Sequence, residues 1–124
     1  MDIRATLVEL CDAFNAHDLD RIMRLFADDC VLEMPRGSKP YGTRFEGKAS
    51  VREGLAGRFA GLPDVHYGDV EHFVDENAQT GMSKWRVTGT ARDGRKVEAH
   101  GCDFYTFRAG KVARKDSYWK IVEP

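Results

Sequence analysis

An acidic residue within an apolar strand is the feature of this sequence best suited to chemistry. Residues 94–119, GRKVEAHGCDFYTFRAGKVARKDSYW, have the pattern of one long antiparallel hairpin that turns at residues 108–111. Strand side chains alternate between two faces, so Asp103 shares its face with Val97, Ala99, Gly101, Tyr105 and Phe107. Burying an unpaired charge is very costly. Asp103 is therefore expected either to be held by a cation or to be kept for a reaction.

Two cations are candidates for a position beside Asp103. Lys115 shares a face of the return strand with Ser117 and Trp119, and Arg86 alternates with its neighbours along the preceding strand, residues 82–91. A cation within about 4–6 Å favours the carboxylate form of an acid. Asp103 could then take a proton while Arg86 or Lys115 binds an oxyanion. This arrangement suits proton abstraction next to a carbonyl, as in isomerases, cyclases and dehydrating lyases.

Two alternatives remain open for these residues. Asp103 with Lys115 or Arg86 could form only a cross-strand salt bridge that binds no substrate. A one-residue bulge in the return strand would turn Lys115 and Ser117 away and bring in Asp116 and Tyr118 instead. A bulge is also the only route by which His100, which lies on the face opposite Asp103, could act as the base.

The remaining histidines and the cysteines point to no metal or organic cofactor. His66 and His72 lie on one strand without matching ligands, and His100 with Cys102 is too small a set for zinc. The three cysteines form neither an even set nor a CxxC pair. Reduced thiols in a cytoplasmic protein are therefore expected.

The first third of the chain predicts two helices that could cover a sheet. Apolar residues recur at helical spacing from Ile3 to Phe14, so a first helix is expected to end near residues 15–17. Asp18 occupies the position of an N-cap, and a second helix is predicted from Leu19 to about Ala27.

The rest of the chain predicts a third helix and five strands. A short strand over residues 30–34 is expected to stop at Pro35, and the Gly- and Pro-rich residues 35–47 are expected to form a loop in which Tyr41 and Phe45 anchor the chain or cover a pocket. A third helix follows Gly47 and ends at Pro63, and four strands joined by short turns begin at Val65. Helices collected before a meander indicate an α+β fold with the helices on one sheet face.

Composition excludes several classes of function. The 124 residues are expected to form one domain, residues 1–124. The 19 basic and 20 acidic residues are dispersed, which argues against a nucleic-acid partner. No apolar run approaches the roughly 20 residues of a membrane span, and the amino terminus lacks the apolar core of a signal peptide. Neither a membrane nor a nucleic acid is expected as a partner.

Three stretches resemble the nuclear transport factor 2-like superfamily, and within it the SnoaL-like and ketosteroid isomerase-like proteins. They are NAHDLD, LFADDCVLEMPRGSKP and the hairpin described above. The resemblance covers nearly the whole chain and implies a cone-shaped fold in which three helices and a curved, mainly antiparallel sheet enclose a pocket. It also implies a homodimer formed through the outer side of the sheet. Activity must still be argued from the site.

The ketosteroid isomerase site matches this sequence in part. Its oxyanion-binding acid corresponds to Asp103 and an aromatic wall corresponds to Trp119. Its proton-shuttling aspartate corresponds to Met34, and its catalytic tyrosine corresponds to Leu10, so steroid isomerisation is not expected. With regular alternation, the pocket face would collect Met34, Arg86, Thr88, Asp103, Lys115, Ser117 and Trp119.

The leading hypothesis is a homodimeric small-molecule enzyme that transfers protons without a cofactor. Asp103 is expected to act as acid or base, while the other six residues of the pocket face bind the substrate. A non-catalytic ligand-binding or dimerisation module is the alternative, and a sealed cavity or a fully paired Asp103 would favour it. Carriage of another protein, as in nuclear transport factors, would require an exposed apolar patch outside the cone.

Overall fold

A computed structural model describes residues 2–124 of the chain. Three helices and six strands lie within these residues. They are α1 (Ile3–Asn15), α2 (Leu19–Met23), β1 (Phe26–Lys39), β2 (Gly42–Glu46), α3 (Lys48–Gly61), β3 (His66–Asp75), β4 (Thr80–Thr90), β5 (Lys96–Arg108) and β6 (Lys111–Trp119).

The strands form one sheet whose helix-covered side holds the core. Its strand order is β2-β1-β6-β5-β4-β3, and only β1 and β6 pair in parallel. Helix α1 packs against β3 and β4, and α3 packs against β1 and β2. We call the covered side the inner face and the other side the outer face. The predicted α+β arrangement, with helices on one face of a mainly antiparallel sheet, is confirmed.

The first helix is confirmed and the second is shorter than predicted. Helix α1 begins after Asp2, whose carboxylate accepts the backbone N–H of Ala5 at 3.0 Å. The predicted N-cap of α2 is also correct, because Asp18 accepts the N–H of Arg21 at 3.0 Å. The helix ends at Met23 rather than Ala27, because Phe26 already pairs with Val112 of β6. Strand pairing overrides the helical spacing there.

The prediction that Pro35 ends a strand and that residues 35–47 form a loop was wrong. Strand β1 continues to Lys39, and β2 returns beside it as a hairpin. Pro35 is tolerated because the β1–β2 register is irregular between Met34 and Lys39, so no regular ladder bond is lost. Gly42 has a φ of +83°, and a Cβ there would lie 1.8 Å from the Met34 carbonyl oxygen. Only glycine fits this return.

The long hairpin predicted for the last third of the chain is confirmed. Strands β5 and β6 pair from Gly101–Trp119 to Arg108–Lys111, and the register shifts only near Phe107. The turn residues Ala109 and Gly110 have φ values of 50° and 83°, as a tight two-residue connection requires. Among residues 2–124, no helix is long and apolar enough to cross a membrane.

Candidate active site

Asp103 lies in a buried cluster with Lys115 and Trp85, which we call the Asp103 cluster. Asp103 and Lys115 are each 5% exposed. The Lys115 Nζ donates to Asp103 Oδ1 at 2.9 Å, and the Trp85 Nε1 donates to Asp103 Oδ2 at 3.0 Å. Both carboxylate oxygens therefore have a donor, so the cluster is arranged to hold a negative charge.

Strand register brings these three side chains together. Asp103 is opposite Ser83 of β4 and opposite Ser117 of β6. Trp85 and Lys115 lie two residues from those positions, and diagonal neighbours on one face are within reach of long side chains. Small residues directly beside Asp103 thus leave room for two larger donors.

A small cavity adjoins the Asp103 cluster on its helix side. We call it the inner cavity; it measures about 10 Å³ and is lined by Cys11, Phe14, Tyr67, Ser83, Trp85, Asp103 and Tyr105. A volume of this size holds about one water molecule. The Asp103 cluster is therefore closed to larger molecules in this conformation.

Two tyrosines in the wall of the inner cavity keep their protons. Burial, and next the negative charge of Asp103, raise the pKa of Tyr67 well above its ordinary value. The same two causes raise the pKa of Tyr105. Both phenols are therefore neutral at physiological pH and can donate hydrogen bonds.

Besides Asp103, four of the predicted site residues lie on the inner face. Lys115 and Ser117 are buried there, and no bulge displaces them, because the irregularity of β6 precedes them. Trp119 contacts Trp85 edge to face with ring centroids 6.0 Å apart. Met34, Ser117 and Trp119 line a hollow of about 360 Å³ below the β1–β2 hairpin. Tyr41 borders this hollow from the hairpin, whereas Phe45 packs against the core.

The placement of Arg86 and Thr88 in the pocket was wrong. Asp103 is opposite Ser83, so the residues of β4 on its face are the odd-numbered ones, including Trp85 and Val87. Arg86 lies on the outer face, where its guanidinium donates to Asp69 at 3.0 Å and to Glu98 at 2.9 Å. Thr88 lies beside it on the same face. The apolar set of β4 side chains took the inner face because its burial outweighs any gain from a second buried cation.

His100 was wrongly considered as an alternate base. The pairing of β4 with β5 is continuous from Thr80 to Thr90, so no bulge turns His100 inward. Its side chain is exposed on the outer face, opposite Arg86. Burial also raises the pKa of the neighbouring Cys102 thiol, which stays protonated.

Trp85, Tyr67, Ser83 and His72 belong to the site but were not among the predicted residues. Strand alternation could have identified Trp85 and Ser83, because both lie on the face of β4 opposite to that of Arg86. A buried indole N–H also needs an acceptor, which Asp103 provides. His72 Nδ1 and Ser83 Oγ are 2.8 Å apart. Among residues 2–124, no group of three or more His, Cys, Asp and Glu side chains is placed to hold a metal ion.

His72 is expected to make stability depend on pH. Its burial, and next the positive charge of Arg4, lower its pKa, while Asp12 opposes them. The folded state then binds fewer protons than the unfolded state. The contribution of His72 to stability is therefore fully present above a pH of about 6.5, and it is lost as the pH falls through the lowered pKa of the folded state. His72→Gln is expected to make the free energy of urea unfolding depend less on pH below about 6.5. The exposed His66 on the same strand provides the control, and an equal flattening by His66→Gln would contradict the assignment.

A larger hollow opens on the inner face beyond Trp119, at the end of the sheet away from the turn at residues 109–110. We call it the mouth hollow; it measures about 540 Å³, and its lining includes Pro35, Arg58, Val97, Ala99, Trp119 and Ile121. This volume is within the usual range of small-molecule sites. The Asp103 cluster and the mouth hollow lie on the same face, with Trp85 and Trp119 between them.

Solved structures with this fold share little sequence with the chain. A protein from Xanthomonas campestris that is provisionally named a polyketide cyclase has a TM-score of 0.84 and 17% identity, over 94% of this chain and 89% of that one. A provisionally named isomerase from Bacillus subtilis has a TM-score of 0.77 and 18% identity, over 94% and 84%. A cystatin-fold protein from Novosphingobium aromaticivorans has a TM-score of 0.77 and 25% identity, over 98% and 99%. These likenesses establish the fold.

The family is established by a match in sequence. No curated protein matches the chain. Residues 7–115, which include most of α1, all of α2 and α3, the Asp103 cluster and most of the final hairpin, match the SnoaL-like domain. The chain therefore belongs to the SnoaL-like domain family.

Proposed function

We propose that this SnoaL-like domain is a small-molecule enzyme that catalyses a cofactor-independent proton transfer of the isomerase, cyclase or lyase kind. The observation that supports this most is the Asp103 cluster, a buried carboxylate with a cation and an indole N–H on its two oxygens. Such a cluster in a cleft is a frequent mark of acid–base chemistry.

The proposed step is proton abstraction next to a carbonyl. An oxygen of the Asp103 carboxylate takes the proton from the carbon, and the C–H electron pair moves into an enolate. The enolate oxygen accepts hydrogen bonds from Lys115 and from the neutral phenol of Tyr67 or Tyr105. Return of the proton to another carbon gives an isomer. Attack of the enolate carbon on a second carbonyl carbon closes a ring, and the alkoxide that forms takes the proton back from Asp103.

The substrate is proposed to bind between the mouth hollow and the Asp103 cluster. Trp119 borders both the mouth hollow and the hollow below the β1–β2 hairpin, which Met34 and Ser117 also line. The names of the Xanthomonas cyclase and the Bacillus isomerase agree with this class of reaction. Steroid isomerisation is excluded from the proposal, because apolar Met34 and buried Leu10 stand where that chemistry needs an aspartate and a tyrosine.

A second candidate function is non-catalytic binding of a small ligand. The inner cavity of about 10 Å³ and the full pairing of both Asp103 oxygens favour it. On this alternative, the salt bridge serves only to specify how the strands pair in the sheet interior, and the mouth hollow alone binds the ligand.

Deuterium exchange separates the two functions without knowledge of the natural substrate. The protein is incubated in D2O with a set of aryl ketones and β-diketones, and loss of the α-proton signal is followed by proton NMR. The enzyme hypothesis predicts exchange above the buffer rate for at least one compound. Binding without exchange throughout the set would favour the second candidate.

A second copy of this chain is proposed as the partner on the outer face. Phe104 and Tyr118 are 42% and 57% exposed there, and a largely apolar hollow of about 300 Å³ lies between Met82 and Tyr118. Large exposed apolar patches of this kind mark interfaces. The cytoplasmic location expected from the three cysteines stays a prediction.

Phe104→Asp is expected to convert the dimer into a monomer, because a charge would be buried in the apolar contact. Sedimentation equilibrium should then give a mass near 14.0 kDa instead of twice that value. Val8→Asp is the control, since Val8 is 44% exposed on α1 rather than on the outer face. A wild-type chain that is already monomeric would refute the dimer.

A further inference from the structure

Arg58 is a partly buried cation without a carboxylate partner in the part of the chain that the structure describes. It lies on α3, and its guanidinium carbon is 4.5 Å from the centre of the Trp119 ring. Desolvation is the main cause that lowers its pKa, and the positive charge of Arg36 acts in the same direction, whereas Tyr67 and the negative charge of Asp103 oppose them. By contrast, Arg52 on the same helix pairs with Asp20 at 2.7 Å.

The surroundings of Arg58 leave the mouth hollow with a positive end and apolar walls. Arg36 and Lys120 add positive charge at the rim. The only acid in the lining, Glu98, is bound to Arg86 on the outer face at 2.9 Å. Val97, Ala99 and the Trp119 ring form apolar surface beside Arg58.

A partly desolvated cation that no carboxylate contacts is costly to the fold. The stacking on Trp119 offsets a part of that cost. Stacking holds the plane of the guanidinium fixed while its N–H groups remain free, and a planar fork of this kind matches a carboxylate. The arrangement suits an anion that completes the pair.

We propose that the mouth hollow binds the carboxylate of a flat, apolar organic acid through Arg58. This inference deepens the proposed function, on which it rests for the chemistry at the other end of the substrate. It assigns the substrate class as an aromatic or polycyclic carboxylate that also carries a carbonyl group.

The geometry of β5 sets the length of such a substrate. Ala99 of the mouth hollow and Asp103 lie on one face of the strand, four residues apart, which corresponds to roughly 13 Å. A molecule of about four fused rings, or of two fused rings with an acyl side chain, spans that distance. Its carboxylate would lie on Arg58 while its reacting carbon reaches Asp103, once Trp119 and the Trp85 ring give way between them.

Calorimetric titration with 2-naphthoate and its neutral counterpart 2-naphthamide tests the site. Wild-type protein is expected to bind naphthoate at least about tenfold more tightly than the amide, a difference of the size that one charge-assisted pair supplies. Arg58→Met should abolish this preference, and Arg58→Lys should keep only part of it. Arg52→Met, on the solvent side of the same helix, should keep all of it.

Stability and salt provide readouts that a purely structural arginine would not give. Arg58→Met is expected to have a Tm no lower than that of Arg52→Met, because the fold loses no ion pair. Should Arg58→Met fail to fold, the salt series on the wild-type protein decides: naphthoate binding must weaken with added chloride while naphthamide binding does not.

Four results would overturn the inference. Three of them are equal binding of naphthoate and naphthamide, an unchanged preference in Arg58→Met, and no detectable naphthoate binding at about 1 mM. Inorganic phosphate that competes as strongly as naphthoate would also overturn it, because the apolar walls would then contribute nothing.

The inference and the proposed function fail separately. Asp103→Asn is expected to leave the preference for naphthoate in place, because Asp103 does not line the mouth hollow. If no variant loses proton exchange, while the preference for naphthoate depends on Arg58, the proposed enzymatic function is refuted and the anion site stands. If proton exchange depends on Asp103, while the protein shows no preference for naphthoate, the anion site is refuted and the proposed enzymatic function stands.

Discussion

Replacing Lys115 by methionine is expected to lower the free energy of unfolding by about 3–5 kcal/mol, the usual effect of breaking a buried ion pair. The methionine fits the space of the lysine stem, but the Asp103 carboxylate loses the donor on Oδ1 while it stays 95% buried within the sheet. Urea unfolding followed by circular dichroism gives the loss directly.

The double variant Asp103→Leu/Lys115→Met is expected to recover part of that loss, since an apolar pair of similar volume can replace a buried salt bridge, but the Trp85 N–H is left without its acceptor. Lys84→Met provides the control, because Lys84 is exposed on the outer face and its loss should change stability by less than about 0.5 kcal/mol. A loss below about 1 kcal/mol in Lys115→Met would show that the pair is as weak as a surface salt bridge.

Asp103→Asn is expected to reduce proton exchange from a reactive ketone by about 100-fold or more, the contribution of a positioned general base. The amide oxygen can still accept the Trp85 N–H, but the buried Lys115 loses its carboxylate partner. The variant is therefore expected to be less stable, and its folding must be checked by circular dichroism before the rate is compared. What is removed is the ability to carry the abstracted proton. The measurement is the initial rate of α-proton loss in D2O at saturating ketone.

Asp116→Asn is the matched control for that rate. Asp116 lies on β6 next to Ser117 but faces outward, where it accepts the Tyr118 hydroxyl at 2.9 Å. Its replacement should leave the rate unchanged. Equal rates in wild type and Asp103→Asn would remove Asp103 from the reaction and leave the salt bridge as its whole role.

The fold was largely predictable where the determinants are local. Helical spacing found α1 and α3, and turn residues found the hairpins of the last third of the chain. Strand β2 was missed because residues 42–46 gain order from pairing with β1, whereas their Gly- and Pro-rich surroundings indicate a loop. Phe26 was assigned to a helix for a similar reason, since its partner Val112 is distant in sequence.

The site was predictable to the extent that strand alternation could be followed across neighbouring strands. Asp103, Lys115 and Ser117 were placed on one face, and the register agrees. Arg86 was placed wrongly because the sequence shows the two faces of β4 but not which of them is opposite Asp103. Arg58 lies seven residues after Val51 and so shares its helix face, but its stacking on Trp119 depends on tertiary packing.

The strand order also determines which part of the molecule can move to admit a ligand. Trp85, Asp103 and Lys115 lie on β4, β5 and β6, and each of these strands is bonded to a neighbour on both sides. Shifting any one of them would break two backbone ladders at once. The backbone of α1 is also tied to β3, because Asn15 exchanges two hydrogen bonds with the backbone of Tyr67. Rotation of the Trp119 and Trp85 side chains, rather than a shift of the strands or of α1, is therefore the movement that would admit a ligand.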